Sequence, residues 1–145
     1  MEDQQRLNSL LSQINVYRQQ ADLIQQQIEM IQASIAEVDA LFNTLDDIEG
    51  KDCVEAFVPV GAGSFVKGEL KSTDEIIVSI GAGLAVKKDA AGAREIIGGQ
   101  KEELKDSLDK MLANLQQTTD IVGSLQAQAE QIAAAAQGNM TQTMG

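Results

Sequence analysis

Histidine and tryptophan are absent from this chain, and cysteine, proline and tyrosine occur once each. Without histidine there is no Ser-His-Asp triad, no imidazole proton shuttle and no His-ligated metal. The lone Cys53 cannot close an internal disulfide or build a thiolate zinc site. It reads as a small strand residue rather than a nucleophile. Aromatics make up 3% of the chain against a hydrophobic share of 43%, so the apolar groups are mostly aliphatic. No apolar run approaches the ~18 residues that would span a bilayer. The N-terminus shows no apolar or Arg-rich leader. The expectation is a cytoplasmic protein with no membrane partner. Positive charge is scarce as well: 11 Lys and Arg face 22 Asp and Glu, a net charge of −11. Such a field repels phosphate backbones and speaks against nucleic-acid binding.

The 145 residues set a prior of one domain. Within it, three segments separate by pattern. Residues 1–49 are rich in Gln and contain neither Gly nor Pro. Residues 50–88 hold the single proline, Pro59, and most of the β-branched runs. Residues 89–138 return to a helical composition, and 139–145 are expected to form a flexible tail. Counted per segment, charge is 2 − 9 = −7 over 1–49, 5 − 5 = 0 over 50–88 and 4 − 8 = −4 over 89–145. The middle is neutral and the flanks carry the net charge.

Both flanks are heptad repeats. Leu7, Leu10, Ile14, Tyr17, Ala21, Ile24, Ile28, Ile31, Ile35, Val38, Phe42 and Leu45 follow an unbroken 3,4 alternation. This 3.5-residue period keeps one narrow apolar seam facing a partner helix. Gln, Asn, Ser and acids fill most other positions. In the last segment Ile97, Leu104, Leu108, Met111, Leu115, Thr118, Val122, Leu125, Ala129, Ile132 and Ala136 share one seam, with Arg94 and Lys101 at two of its positions. Asp89 suits an N-cap. Gly98, Gly99 and Gly123 each cost a helix up to ~1 kcal/mol relative to Ala, and Gly138 is placed to end it. Two seams on one chain pair most simply as antiparallel helices, each roughly 60 Å long at ~1.5 Å per residue. Counting outward from Ile48 and Ala90 sets Leu7 opposite Ile132, with both termini at one end.

The middle segment is an internal repeat. Gly61-Ala62-Gly63-Ser64-Phe65-Val66-Lys67 recurs twenty residues later as Gly81-Ala82-Gly83-Leu84-Ala85-Val86-Lys87, and Val58 recurs as Val78. Each copy reads as strand, glycine turn, strand. Pro59 predicts an edge or a bulge. Two such hairpins cannot make a core of their own. Phe57, Val58, Val60, Phe65, Val66, Ile76, Ile77, Val78 and Ile80 are therefore expected to oligomerise, each subunit lending strands to a shared barrel or sandwich. The alternative is a small sheet packed on the helix bases.

Other chemistry finds no support. Gly61-x-Gly63 lacks the third glycine of a dinucleotide loop, since position 66 is Val66, and there is no Gly-Lys-Ser/Thr. Asp46, Asp47, Glu49 and Asp52 lack the calcium-loop spacing and read as a solvated bend. The chain is not expected to be an enzyme.

Long heptad helices flanking tandem hairpins, with Val58-Pro59-Val60-Gly61-Ala62-Gly63-Ser64-Phe65-Val66-Lys67-Gly68-Glu69-Leu70 followed by Ile76-Ile77-Val78-Ser79-Ile80-Gly81-Ala82-Gly83, resemble the prefoldin family, alpha subunits of the archaeal type. The family's beta subunit has one hairpin; the doubled repeat points to alpha. The resemblance spans nearly the whole chain. It implies an α+β fold: a long antiparallel two-helix coiled coil with two β-hairpins at its base, completed as a β-barrel platform in the oligomer. It implies a hexamer of two alpha and four beta subunits and an ATP-independent holdase without cofactors. Such a holdase captures unfolded proteins at coil tips and passes them to a group II chaperonin. Leu7, Leu10, Leu11, Ile14, Leu125, Ile132, Met140 and Met144 are the tip candidates, Leu11 standing outside the seam. The same seam residues could equally pack the intact coil. A structural scaffold without client binding is the competing reading.

Overall fold

The computed structural model describes the backbone of residues 2–144 and the side chains of residues 2–137. The element order is α1 (Glu2–Ile48), β1 (Cys53–Gly61), β2 (Ser64–Lys71), β3 (Ile76–Gly81), β4 (Leu84–Lys88) and α2 (Ala90–Met144). The chain forms two compact units. One contains residues 33–105; the other joins residues 1–32 with residues 106–145.

Heptad spacing accounts for most of the packing of both helices; Ala93 and Ile96, outside the α2 seam, pack in the cluster with Val78. In α1 all twelve seam residues from Leu7 to Leu45 are buried or half-buried, while every other residue from Glu2 to Asp47 is exposed except Ser34. The seam of α2 behaves alike, down to Ala136. Asp89 caps α2: the Gly92 amide donates to its Oδ1 at 2.8 Å. Gly138 does not stop this helix, which continues to Met144 where a tail was expected. A glycine costs helix stability without forbidding helical dihedrals. Met140 and Met144 have side chains outside the described residues.

In the unit of residues 33–105 the helices are antiparallel. Arg94 Nη2 meets Asp46 Oδ1 at 2.7 Å and Glu49 Oε2 at 2.9 Å, and Lys101 pairs with Asp39. As numbers rise along α2, partners fall along α1. Both cations occupy seam positions. Their stems lie along the apolar stripe while their charged ends reach carboxylates at its rim. Two members of the acidic cluster at the exit of α1 are thereby used to hold Arg94.

The hairpins β1–β2 and β3–β4 are separate two-stranded antiparallel sheets. Their internal symmetry is close. In each, register slips just before the turn, between Pro59 and Gly61 and again between Ser79 and Gly81, so that Val60 and Ile80 sit in equivalent bulges. Both two-residue turns have positive φ throughout, Ala62 and Gly63 at 49° and 73°, Ala82 and Gly83 at 55° and 75°. This is the primed turn that matches strand twist, and glycine suits its second position at no steric cost. Lys67–Glu55 at 3.4 Å recurs as Lys87–Glu75 at 3.7 Å.

The two copies differ in what covers them. Leu45, Val78, Ala93 and Ile97 form a buried cluster, with Val38, Phe42, Ile48, Ile76, Val86 and Ile96 packed around it. The second hairpin therefore rests on the helix bases. Gln100 Nε2 donates to the Ser79 carbonyl at 3.1 Å, and the Thr73 hydroxyl donates to the Lys51 carbonyl. The first hairpin contributes nothing to that cluster.

Glycines of α2 give a test of opposite sign. A Cβ at Gly98 or Gly99 would meet nothing within 4 Å, whereas one at Gly92 would lie 2.9 Å from Asp89 Oδ1. Gly98→Ala and Gly99→Ala are each expected to stabilise the chain by up to ~1 kcal/mol. Gly92→Ala is expected to destabilise by disturbing the cap, approaching the ~1 kcal/mol loss expected of Asp89→Ala. Urea unfolding followed by circular dichroism separates the signs.

Candidate functional site

The first hairpin is the part of the molecule that its own sequence leaves uncovered. Strand alternation puts Phe57 and Pro59 on one face with their cross-strand partners Lys67 and Phe65. Phe57 and Phe65 are both exposed and line one shallow apolar depression. The other face carries Val58 opposite Val66. These are 45% and 55% exposed, and Val60 at the bulge is exposed too. Both faces of β1–β2 are thus apolar and wet.

The equivalent residues of the second hairpin behave otherwise. Val78, twenty residues after Val58, is 6% exposed, and its partner Val86 is half-buried. Ile77 and Ile80 remain exposed. Of the residues expected to oligomerise, Val78 is buried and Ile76 half-buried within the chain, because the helix bases cover that face. Phe57, Val58, Val60, Phe65, Val66, Ile77 and Ile80 stay accessible. The sheet-on-helix alternative holds for one hairpin and fails for the other.

The tip candidates divide as well. Leu11 is exposed, and Leu7, Leu10, Leu125 and Ile132 are half-buried in the unit formed by residues 1–32 and 106–145. Ile14 is buried in the seam. Sequence reading missed Val16, Leu23 and Met30, which are exposed on α1 outside the seam. Their spacing of seven is the signal that could have found them.

Electrostatics add no catalytic group. Partial desolvation, a hydrogen bond to Glu69 and the negative charges of Glu69 and Glu55 push the Cys53 thiol up. That disfavours the thiolate a nucleophile needs. Hydrogen bonding to Asp46, reinforced by its charge and by Glu49, raises the Arg94 guanidinium further and keeps it charged. Among the described residues no cluster of Cys, Asp and Glu is placed to hold a metal ion, and no helix is long and apolar enough to cross a membrane. What the geometry offers is apolar surface for macromolecular contact.

Comparison with known proteins gives that surface a context. The family model described as prefoldin subunit matches residues 17–135. Prefoldin subunit alpha of Methanobrevibacter smithii is 75% identical over 143 residues, covering 99% of this chain and 98% of its own. Prefoldin subunit alpha of Methanosarcina acetivorans is 36% identical over 78 residues, 54% of this chain and 55% of its own. Among solved structures, a chain of filamentous prefoldin from Methanocaldococcus jannaschii shares the fold. Its TM-score is 0.54 at 20% identity, with 84% of this chain and 96% of that one covered. With an apolar hairpin left open beside paired heptad helices, and a family match over most of its length, the chain belongs to the prefoldin subunit family.

Proposed function

We propose that this chain is the alpha-type subunit of a prefoldin hexamer, two alpha with four beta subunits, acting as an ATP-independent holdase for unfolded polypeptides. The observation that carries the assembly is the unequal fate of the repeat. Val78 and Val86 are covered by the chain's own helices, while their equivalents Val58 and Val66 are bare. Apolar area is worth ~25 cal/mol per Å² removed from water, so neighbours gain by covering the first hairpin as the helices cover the second. Each sheet has two strands, so every strand also keeps one edge for β-pairing with another subunit. A platform closed in this way leaves the paired helices to engage clients. Half-buried Leu7, Leu10, Leu125 and Ile132, with exposed Leu11, supply apolar contact there, and several weak contacts act together through avidity. Clients held without nucleotide are passed to a group II chaperonin. The surfaces are apolar.

Matched substitutions test the assembly. Val58→Ser with Val66→Ser should leave the isolated chain as helical and nearly as stable as the parent, but should abolish a discrete hexamer with the beta subunit in native mass measurement. Val78→Ala should instead destabilise the isolated chain by roughly 2 kcal/mol through a core cavity. Equal effects at the two hairpins would contradict the assignment. Deletion of residues 1–14 with 132–145 should preserve the hexamer and weaken suppression of aggregation of a denatured protein; undiminished protection removes the tip role. A hexamer that forms but never protects favours a scaffold.

A further inference from the structure

Arg94 and Lys101 are one heptad apart on α2, and their partners Asp46 and Asp39 are one heptad apart on α1. The cations take two successive seam positions; the acids take two successive positions on the rim. Neither row continues. The next positions in the α2 row are Leu108, Leu115 and Val122, and the next in the α1 row are Gln32 and Gln25. A periodic ladder of charges would be satisfied in any register. Two cations against two acid levels match completely in one register only. Slippage by one heptad would still keep the aliphatic seam in contact, because its apolar positions repeat. In one direction it would set Arg94 at Asp39 and Lys101 at Gln32. In the other it would set Lys101 at Asp46 and carry Arg94 past Ile48, the end of α1. Either way one cation loses its carboxylate. At these seam positions the Arg94 and Lys101 side chains are only 28% and 26% exposed, so water replaces little of what is lost.

We infer that Arg94 and Lys101 are positioning residues that select one register of α1 against α2, and that this register seats the second hairpin. Ala93 and Ile97, within one turn of Arg94, are 0% and 2% exposed and share the buried cluster with Leu45 and Val78. Gln100, one residue before Lys101, donates to the Ser79 carbonyl. The paired charges and the hairpin they seat all lie in the unit of residues 33–105. A one-heptad slip moves α2 by ~10.5 Å along α1. That takes Leu45 away from Ala93 and Ile97 and divides the cluster around Val78. The residue types favour positioning over cohesion. Leucine at 94 and 101 would extend the aliphatic seam and bury more apolar area. A polar residue at a seam position fixes the pairing at a cost in stability. The device acts inside the chain, whether or not the assembled protein holds clients.

Nitroxide labels at Ala33→Cys and Glu95→Cys, in a full-length Cys53→Ser chain diluted into unlabelled chain, read the register by pulsed electron double resonance. Both positions are exposed. They are offset along the helix axes, so slips of opposite sense change the distance with opposite sign. The parent should give one distance. Arg94→Leu with Lys101→Leu should give additional distances, displaced by up to ~10 Å, while its urea midpoint stays level or rises. Lys101→Leu alone should add only a shorter distance, because a slipped Arg94 still finds Asp39. Arg94→Leu alone should add only a longer one, because a slipped Lys101 still finds Asp46. Arg94→Lys with Lys101→Arg should keep the single parental distance. One parental distance in the double leucine variant overturns the inference, since seam and hairpin then set the register unaided. A lowered urea midpoint in that variant overturns it too, the pairs then being plain stabilisers.

Discussion

A two-stranded hairpin has two faces and two edges, and this chain brings only one pair of helix bases to cover two hairpins. That shortage governs the molecule. The helix bases spend their apolar ends, Leu45, Ala93 and Ile97, on Val78. The same motif at Val58 is left exposed. The internal repeat thus yields one hairpin that anchors and one that stays exposed, with the same turn, bulge and ion pair.

The helical part obeys a complementary rule. An uninterrupted aliphatic seam gives cohesion but tolerates sliding, since one heptad step resembles the next. Arg94 and Lys101 break that degeneracy. Placed in the seam, each finds carboxylates at one level of α1, Asp46 and Glu49 for one and Asp39 for the other. Exposed pairs of this kind are screened and contribute little to stability; their value lies in fixing register. Correct register also keeps Ala93 and Ile97 beneath Val78, so the ion pairs decide where the anchoring hairpin sits.

Much of this was legible in the sequence. Regular 3,4 spacing named the seam residue by residue, and the repeated glycine turns located both hairpins within a residue or so. The assignment of faces was not legible. Ile76-Ile77-Val78-Ser79-Ile80 is apolar on both sides of the pleat, so alternation alone cannot say which side meets the helices. Only the helix bases in space decide that Val78 and Ile76 turn inward and Ile77 outward. Ile14 was ambiguous for the opposite reason, because a seam residue near a helix end has the same pattern whether packed or splayed. Val16, Leu23 and Met30 were hidden by the strength of the seam itself, which drew attention away from a weaker seven-residue rhythm on the same helix.

The turns carry a further consequence. Ala62 and Ala82 adopt positive φ, 49° and 55°, where asparagine or glycine would sit more easily. A left-handed alanine costs on the order of 1–2 kcal/mol. For the second hairpin the helix bases offset that cost within one molecule. For the first, which the helices do not cover, the proposed association with other subunits would supply that offset and link its order by mass action to subunit concentration. Dilution should therefore loosen this hairpin before it touches the helices, making local folding a reporter of subunit supply.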